Sequence, residues 1–213
     1  YLKRGFGGVL NFDVKGGTEA INTPDKTNAV VLGNININIS ETHKDYPALF
    51  MANELLGGGA FLSSRIPMRL RENEGMSYGA GTYMNSNYKY DVTNWGLYAI
   101  FNPLYKGRLD SAMHQEIDKA IAAGFTKDEL TKSVSAWIEG NKTSLGMNDF
   151  LARQLRWYIR DGRDLTDFTN FESRVKALTT DAVNAAMKKY FDKSKLVVVY
   201  GGEFDKTKPA DKP

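Results

Sequence analysis

The run VVLGNININIS constrains the fold more than any other part of the chain. From Asn34 to Ser40 polar and apolar side chains alternate without a break. Ile35, Ile37 and Ile39 fall on one side; Asn34, Asn36 and Asn38 fall on the other. A period of two in β-branched residues is that of a strand buried on one face and wet on the other. The chain therefore contains a sheet with a dry face, and other elements must cover that face.

Helices are the natural cover. DYPALFMANELL is apolar nearly all round, with Pro47 tolerable in a first turn, and reads as a buried helix ending at Gly57. A second helix runs from about Leu62 to Asn73 and is ended by Gly75. MSYGAGTYM and DVTNWGLYAIF, joined by the polar NSNYKY, predict an antiparallel hairpin with Trp95, Leu97, Ala99 and Phe101 on one face. In the next helix Leu109, Met113, Ile117 and Ile121 belong to one stripe that Gly124 stops. Thr126 with Glu129 has capping-box spacing and starts another. NDFLARQLRWYIRDG and TTDAVNAAMKKYF predict two further helices, and KLVVVYGG a closing buried strand.

Helices and strands do not interleave one by one, so a doubly wound parallel sheet is excluded. The order predicts an α+β fold, a mostly antiparallel sheet with helices packed on one face. Residues 1–27 are a poorly defined N-terminal segment, 28–202 a single α+β domain, and 203–213 a flexible polar tail. A chain of 213 residues buries roughly 70% of its unfolded surface and needs no disulfide or structural metal.

The side chains that are missing narrow the chemistry. With no cysteine, thiol catalysis and thiolate metal sites are excluded. Only His43 and His114 are present, neither with a second histidine within two turns, so no helical zinc pair forms; both suit surface or boundary positions. No G-x-S-x-G elbow and no P-loop occur. The net charge of +3 is too small to imply nucleic acid, and most aromatics fall at core periods. No apolar run approaches the length of a membrane span.

One block is distinctive: ANELLGGGAFLSSRIPMRLRENEGMSYGAG, preceded by TPDKTNAVVLGNININ and followed by GFTKDELTKSVSAW and LTTDAVNAAMKKYFDKSKLVVVYGGEF. Over about residues 20–205 the chain resembles the C-terminal-type domain of the pitrilysin/insulinase zinc metallopeptidases, the inverzincins. It is most similar to the last domain of long bacterial insulinase-like members. The resemblance implies a mitochondrial-processing-peptidase-like half domain. Zinc and its H-x-x-E-H motif are expected in an N-terminal-type partner domain, on the same chain or another subunit. This chain lacks that motif, so it carries no catalytic residue and no metal of its own and is expected to be inactive alone.

The resemblance further implies that the paired half closes a chamber around unfolded peptide. It supplies an arginine and a tyrosine spaced R-x6-Y, which here are Arg71 and Tyr78. Those residues also suit plainer roles: Arg71 a surface helix residue paired with Glu72 or Glu74, Tyr78 a sheet aromatic packed on the core. Gly57, Gly58 and Gly59 correspond to the family's glycine-rich substrate loop but form a much shorter one, which reads as a hinge between helices. The alternative functional class is a non-catalytic assembly or scaffold domain of the same family; a module that takes up a peptide strand at a sheet edge is a third. Long bacterial relatives imply a periplasmic or exported location.

Overall fold

The computed structural model describes residues 12–24, 26–59 and 64–204. Five strands form one sheet: β1 (Gly17–Asn22), β2 (Ala29–Ile37), β3 (Ser77–Ser86), β4 (Thr93–Phe101) and β5 (Val197–Gly202), in the order β1-β5-β2-β4-β3. β2 is antiparallel to β4 and β5, and β3 is antiparallel to β4. Only β1 runs parallel, to β5.

The alternation in β2 has the predicted meaning. Ala29, Val31, Ile35 and Ile37 are buried, together with Trp95, Leu97, Ala99 and Phe101 of β4 and Val198 and Tyr200 of β5. The asparagines lie on the opposite face and bond to one another across the pairing of Asn36 with Asn94. Asn34 Nδ2 donates to Asn94 Oδ1 at 2.9 Å, and Asn94 Nδ2 donates to Asn36 Oδ1 at 3.0 Å. Amides that satisfy each other sideways need no cover from above. That face also carries Val30, Leu32, Tyr98 and Ile100, all exposed among the described residues.

Helices cover the other face: α1 (Tyr46–Asn53), α2 (Arg65–Pro67), α3 (Lys106–Ala122), α4 (Lys127–Leu145), α5 (Asn148–Asp161), α6 (Leu165–Lys176) and α7 (Thr180–Tyr190). α1 is buried at all positions but Phe50 and carries Pro47 in its first turn. It does not stop at Gly57 as its sequence predicts, but widens into a π-type turn over Glu54–Gly58. The second predicted helix is α2, continued by a π-type turn over Met68–Asn73; its expected start at Leu62 lies outside the described residues.

The Thr126 box is complete. Glu129 N donates to Thr126 Oγ1 at 3.2 Å, and Thr126 N to Glu129 Oε2 at 2.7 Å. Gly124 and Gly162 end their helices with φ of 74° and 73°, where a β-carbon would be strained. No described helix is long and apolar enough to cross a membrane. Residues 205–213 of the predicted tail lie outside the described residues.

The core closes on Trp95, 2% exposed, which meets the Phe191 ring edge-on at 4.6 Å. Trp95→Ala should lower the unfolding free energy by about 3–5 kcal/mol. Trp157→Ala, at a position 41% exposed, should lower it by less than about 1 kcal/mol. Urea denaturation of the two variants checks the contrast.

Candidate functional site

Three arginines leave α2 and its π-type extension, and the structure sorts them. Arg65 donates Nε and Nη2 to Glu129 at 2.8 and 3.0 Å, donates Nη2 to the Gly124 carbonyl, and lies over the Phe125 ring. Burial would raise the Glu129 carboxyl, but Arg65 and Thr126 hold it down at about 2. Arg69 bonds Glu74, Glu116 and Gln115 at 2.8, 2.8 and 2.6 Å. Both side chains are about one-fifth exposed (19% and 21%) and tie α2 to α3 and α4. Arg71 is 48% exposed, with Nε 3.5 Å from Glu72, itself 46% exposed.

Tyr78 follows across a tight reversal. Gly75 takes φ +59°, Gly75 N donates to Arg71 O at 3.1 Å, and Met76 N donates to Leu70 O at 2.8 Å. These bonds fasten the helix end to the start of β3. Tyr78 then sits in a bulge between Ser77, paired with Phe101, and Gly79, paired with Ile100. It is 72% exposed, so it is no core aromatic. Arg71 and Tyr78 thus leave one helix-to-strand corner, both open to solvent.

Of the three glycines, Gly57 lies against β3, while Gly58 and Gly59 pack on their own helical turn. A β-carbon on Gly57 would stand 2.8 Å from the backbone nitrogen of Thr82, and one on Gly81 would stand 2.9 Å from the Gly57 carbonyl. A β-carbon on Gly58 would strike Asn53 Nδ2, and one on Gly59 would lie 2.7 Å from the Glu54 carbonyl. Gly59 has φ −75°, so the need is for close approach rather than for left-handed backbone.

Inside this turn sits a residue that sequence reasoning passed over. Burial pushes the Glu54 carboxyl up to about 7, against a weak opposing bond from Asn53 Nδ2 at 3.4 Å. Asn53 is 4% exposed, and its Oδ1 has no protein partner. The available signal was a lone acid inside an otherwise apolar helix, directly before LLGGG.

The histidines lie elsewhere. His43 Nδ1 accepts from Asp45 N and the ring stands edge-on to Tyr190; His114 Nε2 is 3.5 Å from Asp110. Among the described residues no three His, Asp or Glu side chains are grouped so as to hold a metal ion.

The Peptidase M16 inactive domain family model matches residues 10–136. No curated protein matches the chain. A peptidase M16 inactive-domain structure from Pseudomonas fluorescens superposes with a TM-score of 0.77 at 22% identity, covering 93% of this chain and 45% of that one. The periplasmic protease PqqL from Escherichia coli superposes with a TM-score of 0.67 at 17% identity, over 89% of this chain and 20% of that one. A structure assigned as a zinc protease from Bordetella pertussis gives 0.65 at 17% identity, over 85% of this chain and 97% of that one. The chain thus spans less than half the length of the Pseudomonas structure.

Two outcomes follow from this geometry. Gly57→Ala should destabilise the domain by about 1–3 kcal/mol, because the new β-carbon would meet the β3 backbone nitrogen of Thr82 at 2.8 Å as well as the Thr82 side chain; thermal and urea melts check it. Glu54 binds its proton more tightly folded than unfolded. Its burial therefore costs nothing below the unfolded carboxyl value of about 4.3, and stability falls as pH rises from there through 7. Glu54→Gln should remove that slope and add up to about 3 kcal/mol above pH 7, read as the wild-type-minus-variant difference in unfolding free energy across pH.

Proposed function

The chain belongs to the peptidase M16 inactive-domain family, and from that premise we propose that it is the non-zinc half of a two-part zinc peptidase. In this reading it forms one wall of a chamber that takes unfolded peptide, and the partner half holds zinc, its ligands and the base. The supporting observation is the split among the arginines. Arg65 and Arg69 are partly buried in ion pairs with Glu129, Glu74 and Glu116, whereas Arg71 and Tyr78, 48% and 72% exposed, reach solvent at one corner. The uncovered sheet face beside them, with Leu32, Tyr98 and Ile100 exposed, suits a wall that meets extended, partly apolar chains.

The chemistry assigned to the pair is electrostatic. Zinc held by the partner half would supply the charge that polarises the scissile carbonyl. Arg71 directs a guanidinium fork at a peptide carbonyl and holds the chain in place. Tyr78 donates its phenolic hydrogen toward the oxygen on which negative charge grows. A donor set in place beforehand stabilises that charge more than the neutral carbonyl, so it raises kcat rather than tightening binding alone. We place the protein in the periplasm or outside the cell, as the Escherichia coli relative is named a periplasmic protease.

In the protein joined to its zinc-bearing half, Arg71→Ala and Tyr78→Phe should each lower kcat/KM on a peptide by about 10- to 100-fold, the worth of one charged hydrogen bond. Melting temperature should stay unchanged, because both side chains are exposed. Rates within about twofold of wild type for both variants would remove the assigned roles.

A further inference from the structure

The turn over Glu54–Gly58 holds a carboxyl whose charge the fold does little to answer. Asn53 Nδ2 reaches Glu54 Oε1 at 3.4 Å, a long bond, and Asn53 Oδ1 is buried with no partner. A charge drawn away from water needs a counter-charge or a set of donors. Here desolvation outweighs the one amide and raises the carboxyl to about 7.

Among the described residues, no cation of the elements packed around the turn acts on Glu54. Arg65 and Arg69, on α2 and its extension, are engaged with Glu129 of α4, with Glu74 and with Glu116 of α3. Arg71 lies beside Glu72. β3 brings the phenols of Tyr78 and Tyr83. On α1 the Tyr46 phenol feels the Glu54 charge, but burial and that charge both raise it, so it stays protonated while Glu54 titrates.

The same turn is seated on the edge strand. A β-carbon on Gly57 would stand 2.8 Å from Thr82 N, and one on Gly81 would stand 2.9 Å from Gly57 O, so the two backbones touch. Thr82 Oγ1 donates to the Asn53 carbonyl at 3.3 Å, and Gly59 N donates to Glu54 O at 3.0 Å, closing the turn. Gly58 leaves room for the acid and the amide: a β-carbon there would strike Asn53 Nδ2 and stand 2.8 Å from Glu54 Oε1.

Gly58 is exposed and Glu54 partly so, so water lies a short movement away. Ionisation therefore sets two tendencies against each other. Close packing holds the turn on β3, while the carboxylate gains hydration by leaving. A π-type turn is a local irregularity of a helix, and a short segment of this kind opens without unfolding the core.

We propose that the Glu54–Gly58 turn is a proton-operated latch on the sheet edge: with Glu54 protonated it stays seated on Gly81 and Thr82, and with Glu54 ionised it lifts from β3 so that the carboxylate reaches water. The seated turn binds the proton more tightly than the lifted one. Lifting is therefore constant below the free carboxyl value of about 4.3, grows by up to about tenfold per pH unit above it, and levels off beyond 7. The latch does not depend on the peptidase reading. Within that reading, the strand that carries Tyr78 is held more firmly below neutral pH than above it.

Amide exchange followed by NMR tests the latch, because the Gly59 amide is held by the Glu54 carbonyl. Exchange is measured from about pH 5 to about pH 8 in the wild type and in Glu54→Gln, which keeps the shape of the acid form and carries no charge. The wild-type-to-variant ratio at Gly59 cancels the chemical effect of pH on exchange, and it should rise by at least about tenfold over this range. Whole-domain unfolding also frees Glu54 and has the same pH slope. Urea separates the two, since lifting one turn exposes little surface. Above pH 7 the Gly59 amide should exchange faster than the amides of the β2–β4 ladder. It should also ignore urea below the unfolding transition, whereas the ladder amides should respond. The latch is overturned if the Gly59 ratio is flat with pH, or if Gly59 shares the ladder's rate and urea response. The urea comparison uses the wild type alone, so it decides the matter even where the variant folds poorly.

Discussion

One-sided desolvation of the sheet is the constraint on which the rest of this structure depends. The isoleucines of β2 drive one face into contact with α1, α3 and α7, and the asparagines between them leave the other face wet. The hydrophobic effect acts on the first set only, at roughly 25 cal/mol for each square ångström removed from water. The amide chain Asn34–Asn94–Asn36 serves the second set by satisfying itself within the sheet. The helices thus have one place to go, and the opposite face stays available.

From that asymmetry follows the arrangement of charge at the α2–β3 corner. The helix that carries Arg65, Arg69 and Arg71 must dock its Ile66 and Leu70 side into the core. Arg65 and Arg69 then meet acids on neighbouring helices, where partly buried, multiply bonded guanidinium pairs hold the layer together. Arg71 falls outside that register, 48% exposed beside an exposed Glu72. An exposed pair of that kind is weak. The turn at Gly75 and the bulge at Tyr78 place a phenol at the same corner.

Much of this was legible in the residues. Strict alternation located β2, the glycine and capping signals located the ends of α3, α4 and α5, and paired β-rich runs located the β3–β4 hairpin. Two elements left no such mark. β1 is exposed at every position and joins the sheet through backbone pairing with β5, so its side chains carry no period. α6 buries only Val175 fully and leans on Phe171, too little apolar surface to outline a stripe. The R-x6-Y spacing identified the corner, but not why Arg65 and Arg69 differ from Arg71, because their partners Glu129 and Glu116 are distant in sequence. Glu54 showed in the sequence as a lone acid before LLGGG, but its burial was hidden for the same reason: burial is a property of packing.

The central claim is that the bare sheet face turns toward a zinc-bearing partner across an enclosed space. The absence of cysteine allows a direct measurement with single thiols, Leu32→Cys on that face and Ile159→Cys on the exposed side of α5. Each is treated with a small maleimide and with a bulky polymer-linked maleimide, with and without the partner half. The account predicts that the partner blocks only the bulky reagent and only at position 32, since a chamber admits small molecules while it excludes large ones. Unhindered bulky labelling at position 32 in the assembled protein, or protection at position 159 instead, would contradict it.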